Sequence, residues 1–233
     1  MRIAVIISFI GFLALANSIS AQENDTIDYW DNQLYIGNKI AYSKQQWRYS
    51  GEFQVRLQDN ARNLQVYYFE GVATYMPNPH WEISPDFRYS IYPEKLEIRP
   101  GLGVIYKQFW EGKHKNQIAH QVKYQADIDN TGFLNNGARY ILYHNVVINK
   151  KLLITSAAGG LYRWSPKFSG FSFFRVLTGV TLSATDQIAF NFSYFVGAEN
   201  HVDHWSYIGV PFIQFIIRFD KDLKYVPARS ISF

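Results

Sequence analysis

The stretch Trp47-Arg48-Tyr49-Ser50-Gly51-Glu52-Phe53-Gln54-Val55-Arg56-Leu57-Gln58 decides the fold. Its odd positions are apolar or small and its even positions are polar. Side chains of a strand point to opposite faces in turn, so a period of two gives one apolar and one polar face. The same period returns in Trp81–Tyr92 and in Gln187–Val196. A soluble strand runs for about 5–6 residues, whereas a tilted strand that crosses a bilayer needs about 9–11. These runs are of the second length. Less regular runs of similar length are Leu34–Tyr42, Leu64–Tyr75, Glu97–Lys107, Gln117–Asp127, Ala138–Asn149, Leu152–Tyr162, Phe173–Ser183 and Tyr207–Phe219. That makes eleven strands, and Leu223–Phe233 offers a twelfth. Sustained 3.6-residue periodicity is nearly absent. The expected fold is therefore all-β, an antiparallel up-and-down transmembrane β-barrel of 10–12 strands.

Composition narrows the function classes. The chain has 233 residues, no cysteine, 18% aromatic and 18% charged residues, and a formal charge of +4. The missing cysteine excludes disulfide scaffolds and cysteine zinc sites. Lys and Arg are scattered rather than gathered on one face, which argues against nucleic acid as a partner. Arg2, the apolar run Ile3–Ala16 and the small polar stretch Asn17–Ala21 read as a secretory signal peptide over residues 1–21. The apolar run is about 14 residues, short of the ~20 of a membrane helix. Residues 22–233 are expected to form one barrel domain, with 220–233 either a C-terminal extension or the last strand. The address is the bacterial outer membrane.

The connections suggest an orientation. Met76–His80, Asn149–Lys151 and Ala184–Asp186 read as tight turns, while Ile128–Gly137 and Arg163–Gly170 read as longer loops. Outer-membrane barrels carry short periplasmic turns and longer outer loops. Ser43–Gln46 breaks the scheme, because it is tight where a long loop is due. The first run would then begin on the outside, or lie apart from the barrel.

The polar faces carry both signs of charge. Glu52, Arg56, Glu70, Glu82, Asp86, Arg88, Arg99, Arg139 and Arg175 are the expected lumen charge network, with Lys123 and Asp127 at equivalent positions. In a soluble sandwich the same residues would form a solvated exterior. Trp47, Trp81, Trp164 and Trp205 at strand ends favour the membrane reading, since such barrels have aromatic girdles. So does the closing run Ile213, Phe215, Ile217, Phe219.

The order Arg175-Val176-Leu177-Thr178-Gly179, then Ile188–Tyr194, then the closing strand resembles a bacterial family of uncharacterised outer-membrane β-barrel proteins. The likeness is clearest over Phe174–Phe219, with weaker echoes in Arg99–Gly103 and Arg139-Tyr140. It implies fold and location and supplies no reaction. Two departures stand out. Gly159-Gly160 occupies a place where the family would have an inward acidic residue, and the chain continues to Phe233 past its closing strand.

Other chemistry is sparse. Glu199, His201 and Asp203, beside His204, offer three weak N/O ligands for a divalent metal, and a polar external loop is the plainer reading. His120 or His144 with Ser156 would suit a lipid-modifying, phospholipase-like enzyme, although no Gly-x-Ser-x-Gly elbow is present. No cofactor motif occurs. The leading expectation is a non-enzymatic barrel with a structural or narrow-pore role. Its partners would be outer-membrane lipid, the barrel-insertion machinery and small solutes. The alternatives are the lipid enzyme and a soluble periplasmic β-sandwich that binds a ligand.

Overall fold

In a computed structural model, which describes residues 30–110, 114–166, 168–201 and 204–228, the chain is almost wholly strand. The elements are β1 (Trp30–Asn32), β2 (Leu34–Gln45), β3 (Trp47–Gln58), β4 (Asn63–Tyr75), β5 (Trp81–Ile91) and β6 (Leu96–Trp110). Then follow β7 (Lys115–Asp129), β8 (Leu134–Val147), β9 (Leu152–Ser165), β10 (Phe168–Ser183), β11 (Ile188–Asn200) and β12 (Trp205–Leu223). The region read as a signal peptide lies outside the described residues.

Each strand from β2 to β12 pairs antiparallel with the next, and β12 returns to pair with β2. The single closed sheet excludes the soluble sandwich, which needs two sheets packed face to face. β1 and β2 lie in line along β12, separated by Gln33, whose N–H donates to the Gly209 carbonyl at 3.0 Å. They form one interrupted strand, so the wall has eleven strands. The eleven sequence runs correspond to β2–β12. Of the twelfth run, Leu223–Phe233, residues 224–228 carry no strand after β12 ends at Leu223, and residues 229–233 lie outside the described residues.

An odd meander must close with its first and last strands parallel, and here β2 runs parallel to β12 with Ile36 opposite Ile213 and Ile40 opposite Ile217. That resolves the misfit at Ser43–Gln46. The first run does begin at the rim where β12 begins. Single-chain bacterial barrels as a rule have even strand numbers, so this closure is an exception. It is checkable because the chain has no cysteine of its own. Cross-linking is expected for Ile36→Cys with Ile213→Cys and for Ile40→Cys with Ile217→Cys. The swapped pairings, 36 with 217 and 40 with 213, should stay uncross-linked; efficient swapped links would mean antiparallel closure.

The expected contrast of long and short loops is not found. No connection between β2 and β12 exceeds five residues. Gly, Asn and Ser content predicts loops over residues 128–137 and 163–170. Instead the strands extend through most of them, with β8 starting at Leu134 and β9 reaching Ser165. Ladder hydrogen bonds from both neighbours hold those residues extended against their turn propensity. Below, the rim bearing the 76–80, 148–151 and 184–187 connections and the end of β12 is called the lower rim.

The polarity of the wall is inverted relative to a soluble barrel. Ile40, Phe69, Phe87, Leu102, Val122 and Val176 face outward and exposed, while Gln54, Lys107, Gln125 and Asn145 are buried inside. Exposure of a contiguous apolar belt costs about 25 cal/mol per Å² in water, and a hydrocarbon environment removes that cost. Aromatics gather at both ends of the belt. Trp47 packs on Tyr75 and Trp81 on Tyr106 near the lower rim (4.8 and 4.9 Å). Phe174 stacks on Trp205 near the upper one at 5.9 Å.

Candidate functional site

Alternation along β3–β7 aims every second side chain into the barrel, where charges meet. The first cluster is a chain across β4, β5 and β7. Arg88 Nη2 donates to both Glu70 oxygens at 3.2 Å, Lys123 Nζ lies 3.8 Å from Glu70, and Lys123 donates to Asp86 Oδ1 at 2.6 Å. Gly101 on β6 makes room for it. A Cβ there would stand 2.7 Å from both Asp86 Oδ1 and Lys123 Cε. Arg139 lines the same cavity, of about 70 Å³, with Glu70, Asp86 and Lys123.

A second cluster lies towards the upper rim. Arg99 donates to Asp127 and lies 3.2 Å from Glu97, and Arg163 reaches Asp127 Oδ2 at 2.8 Å. A third is Arg175 donating to Glu199. Glu52 pairs with Lys39 at 3.6 Å and accepts from Gln54.

Arg56 differs from the expected pattern of opposite signs. Its Nε donates to the Gln54 side-chain Oε1 at 2.6 Å, and its guanidinium sits 4.2 Å from the Tyr35 ring centre. Arg88 lies over Tyr68 at 3.9 Å, and Tyr35 meets Phe195 edge-on at 5.3 Å. Cation–π contact in a desolvated interior is worth up to about 2 kcal/mol. With Tyr143, Leu177 and Phe212, these rings fill the middle of the barrel. The interior is thus part charged and part apolar. The sequence pattern misses this because the inward positions of β9–β12 include Ala157, Leu177, Phe195 and Phe212 as well as polar residues.

The lower rim carries a feature with no signal in the sequence. After β12 the chain turns inward, and Pro227 and Ala228 are buried. Lys107 Nζ donates to the Val226 carbonyl at 2.7 Å and to Glu82 Oε1 at 2.7 Å. The Ala228 N–H donates to the same Glu82 oxygen at 2.6 Å. Lys107 is 0% exposed and Glu82 3%. Residues 224–228 therefore form a plug at the lower mouth, gripped by a buried ion pair.

Two members of the weak metal set have other partners. Glu199 lies in β11 and serves Arg175, and His201 Nε2 bonds to Ser206 Oγ at 2.8 Å. Asp203 lies outside the described residues. Among the described residues no group of three or more acidic, His or Cys side chains is placed to hold a metal ion. On the outer face His144 stands opposite Ser156 across β8–β9. Among the described residues no hydrogen bond joins them. His120 bonds instead to the Tyr140 hydroxyl at 2.8 Å.

A closed sheet, apolar outside and partly charged inside, defines a transmembrane β-barrel. No family model matches the chain, and no curated protein matches it. Among solved structures, that of the NanC porin in a rhombohedral crystal form is similar. The identity is 11%, the TM-score 0.47, and the match covers 71% of this chain and 86% of that one.

Proposed function

We propose that the protein is a bacterial outer-membrane barrel, exported through residues 1–21, that acts as a narrow pore for small solutes and rests closed. The observation that carries this reading is the inward turn of residues 224–228 at the lower rim, held by Lys107 and Glu82, beside an interior partly filled by the contacts of Arg56 and Arg88 with Tyr35 and Tyr68. A barrel needed only as a wall has no use for a plug held by a buried Lys–Glu pair. The lower rim is the periplasmic one on this reading, as the closing strand's aromatic end suggests. The likeness of Phe174–Phe219 to the uncharacterised outer-membrane family supports the same location. Lipid around the belt and the insertion machinery acting on β12 are the partners it implies. The role is non-enzymatic.

Single-channel recording tests it. The full chain should give small steps. A chain ending at Leu223 and carrying Tyr68→Ala should give clearly larger ones, because the plug is gone and the aromatic filling beside Arg56 and Arg88 is thinned. Absence of steps from both proteins at high load would overturn the pore and leave a structural barrel.

A further inference from the structure

The barrel holds a second internal cavity, of about 50 Å³, near the lower rim. It is lined by Lys39 of β2, Arg48 of β3 and Arg218 of β12, with Gln214, Thr155, Thr181 and Asn191, and Ala228 of the plug closes it. None of its lining residues is a carboxylate. Nearby acids offset part of the charge. Lys39 is shared with Glu52, Glu82 and Asp220 act on Arg48, and Asp220 acts on Arg218. Glu82, however, is already committed to Lys107 and the Ala228 N–H.

Two observations point to a ligand. Gln214 is 2% exposed, and its Nε2 has no hydrogen-bond partner among the described residues. The Nε of Arg218 is likewise buried without one, and its Nη2 makes only a long bond of 3.4 Å to Ser183 Oγ. Buried donors are nearly always satisfied in folded proteins, and each exception calls for an explanation. By contrast Thr155, Thr181 and Asn191 are occupied by each other and by Asn145.

We infer that this cavity is a binding site for a small oxyanion of phosphate size. Guanidinium groups present planar forks that match oxyanions. The cavity also has the right scale: a water needs about 10–15 Å³ by this measure, so there is space for a few waters or one small anion. Arg218 Nε and Gln214 Nε2 supply the directional bonds, and Lys39 and Arg48 supply field. The plug makes the site accessible from the lower rim when residues 224–228 withdraw. The inference rests on the barrel reading alone and holds whether or not the barrel conducts.

The test is calorimetric titration of the detergent-purified full chain with inorganic phosphate at low ionic strength. Arg218→Gln should weaken binding ~10- to 100-fold, the range for losing a charge-assisted bond. Gln214→Leu should weaken it ~10-fold. Lys95→Gln, at the opposite rim, should bind as the parent does. Heat-dependent gel mobility establishes that each variant is folded, and Arg48→Gln replaces Arg218→Gln if that variant does not fold. No binding up to millimolar phosphate, or equal affinity in the parent and the cavity variants, would overturn the site.

Discussion

Lys107→Ala is expected to cost the barrel about 3 kcal/mol, the lower end of the ~3–5 kcal/mol lost when one partner of a buried ion pair is removed. The lower end applies because the polar cavity beside Glu82 offers it some solvation. Two groups lose their partner at once. Glu82 keeps only the Ala228 N–H, and the Val226 carbonyl loses its donor. The plug should therefore loosen as the fold weakens. A second variant separates the two effects. Lys107→Met with Glu82→Leu replaces the pair by apolar groups of similar size, which is often neutral or stabilising. Denaturant midpoints in detergent should then return to near the parental value. Trypsin cleavage after Lys224, slow in the parent, should stay fast, since neither plug contact is restored. If the double variant protects Lys224 as the parent does, the pair does not hold the plug.

How much of this was legible follows from what repeats and what occurs once. Period-two alternation repeats in every strand, so the wall could be read from Trp47–Gln58 outward. The inward parity of Glu52, Glu70, Glu82, Asp86 and Arg88 came with it. Partners did not. Lys107 and Arg163 have the right parity but fell at the margins of their runs, and only register brings Arg163 to Asp127 across two strands. Glu199 looked like a loop ligand because it stands next to His201, yet β11 carries it inward to Arg175. The plug is one backbone turn satisfied by two side chains more than a hundred positions earlier, and no local pattern marks such a contact. Parallel closure was visible only as a misplaced tight turn. Parity fixes which face a residue takes, but the direction of a closing pair depends on whether the strand count is odd.

Gly159→Asp is expected to abolish assembly. Position 159 points inward between Ala157 and Leu161. Here a Cβ at 159 would stand 2.5 Å from the Tyr140 carbonyl oxygen and 3.0 Å from the Ile141 Cα. Both are backbone atoms of the adjacent strand β8, so no rotamer change relieves the clash. Overpacking alone costs about 1–3 kcal/mol. A carboxylate there would stand opposite Ile141 on one side and Arg175 on the other, and Arg175 is already committed to Glu199. A second buried carboxylate sharing that one guanidinium adds the cost of an undercompensated charge. Even Gly159→Ala should reduce the yield of heat-resistant folded species in refolding assays. Gly51 and Gly71 provide the comparison. They sit opposite each other on the lipid face, and a Cβ at either meets nothing within 4 Å. Gly51→Ala and Gly71→Ala should fold as the parent does. If Gly159→Asp assembles normally, β8 and β9 approach less closely than this register requires. If it fails while the two lipid-face variants fold, close packing of β9 on β8 is what excludes a side chain at position 159, and Arg175 keeps Glu199 as its carboxylate.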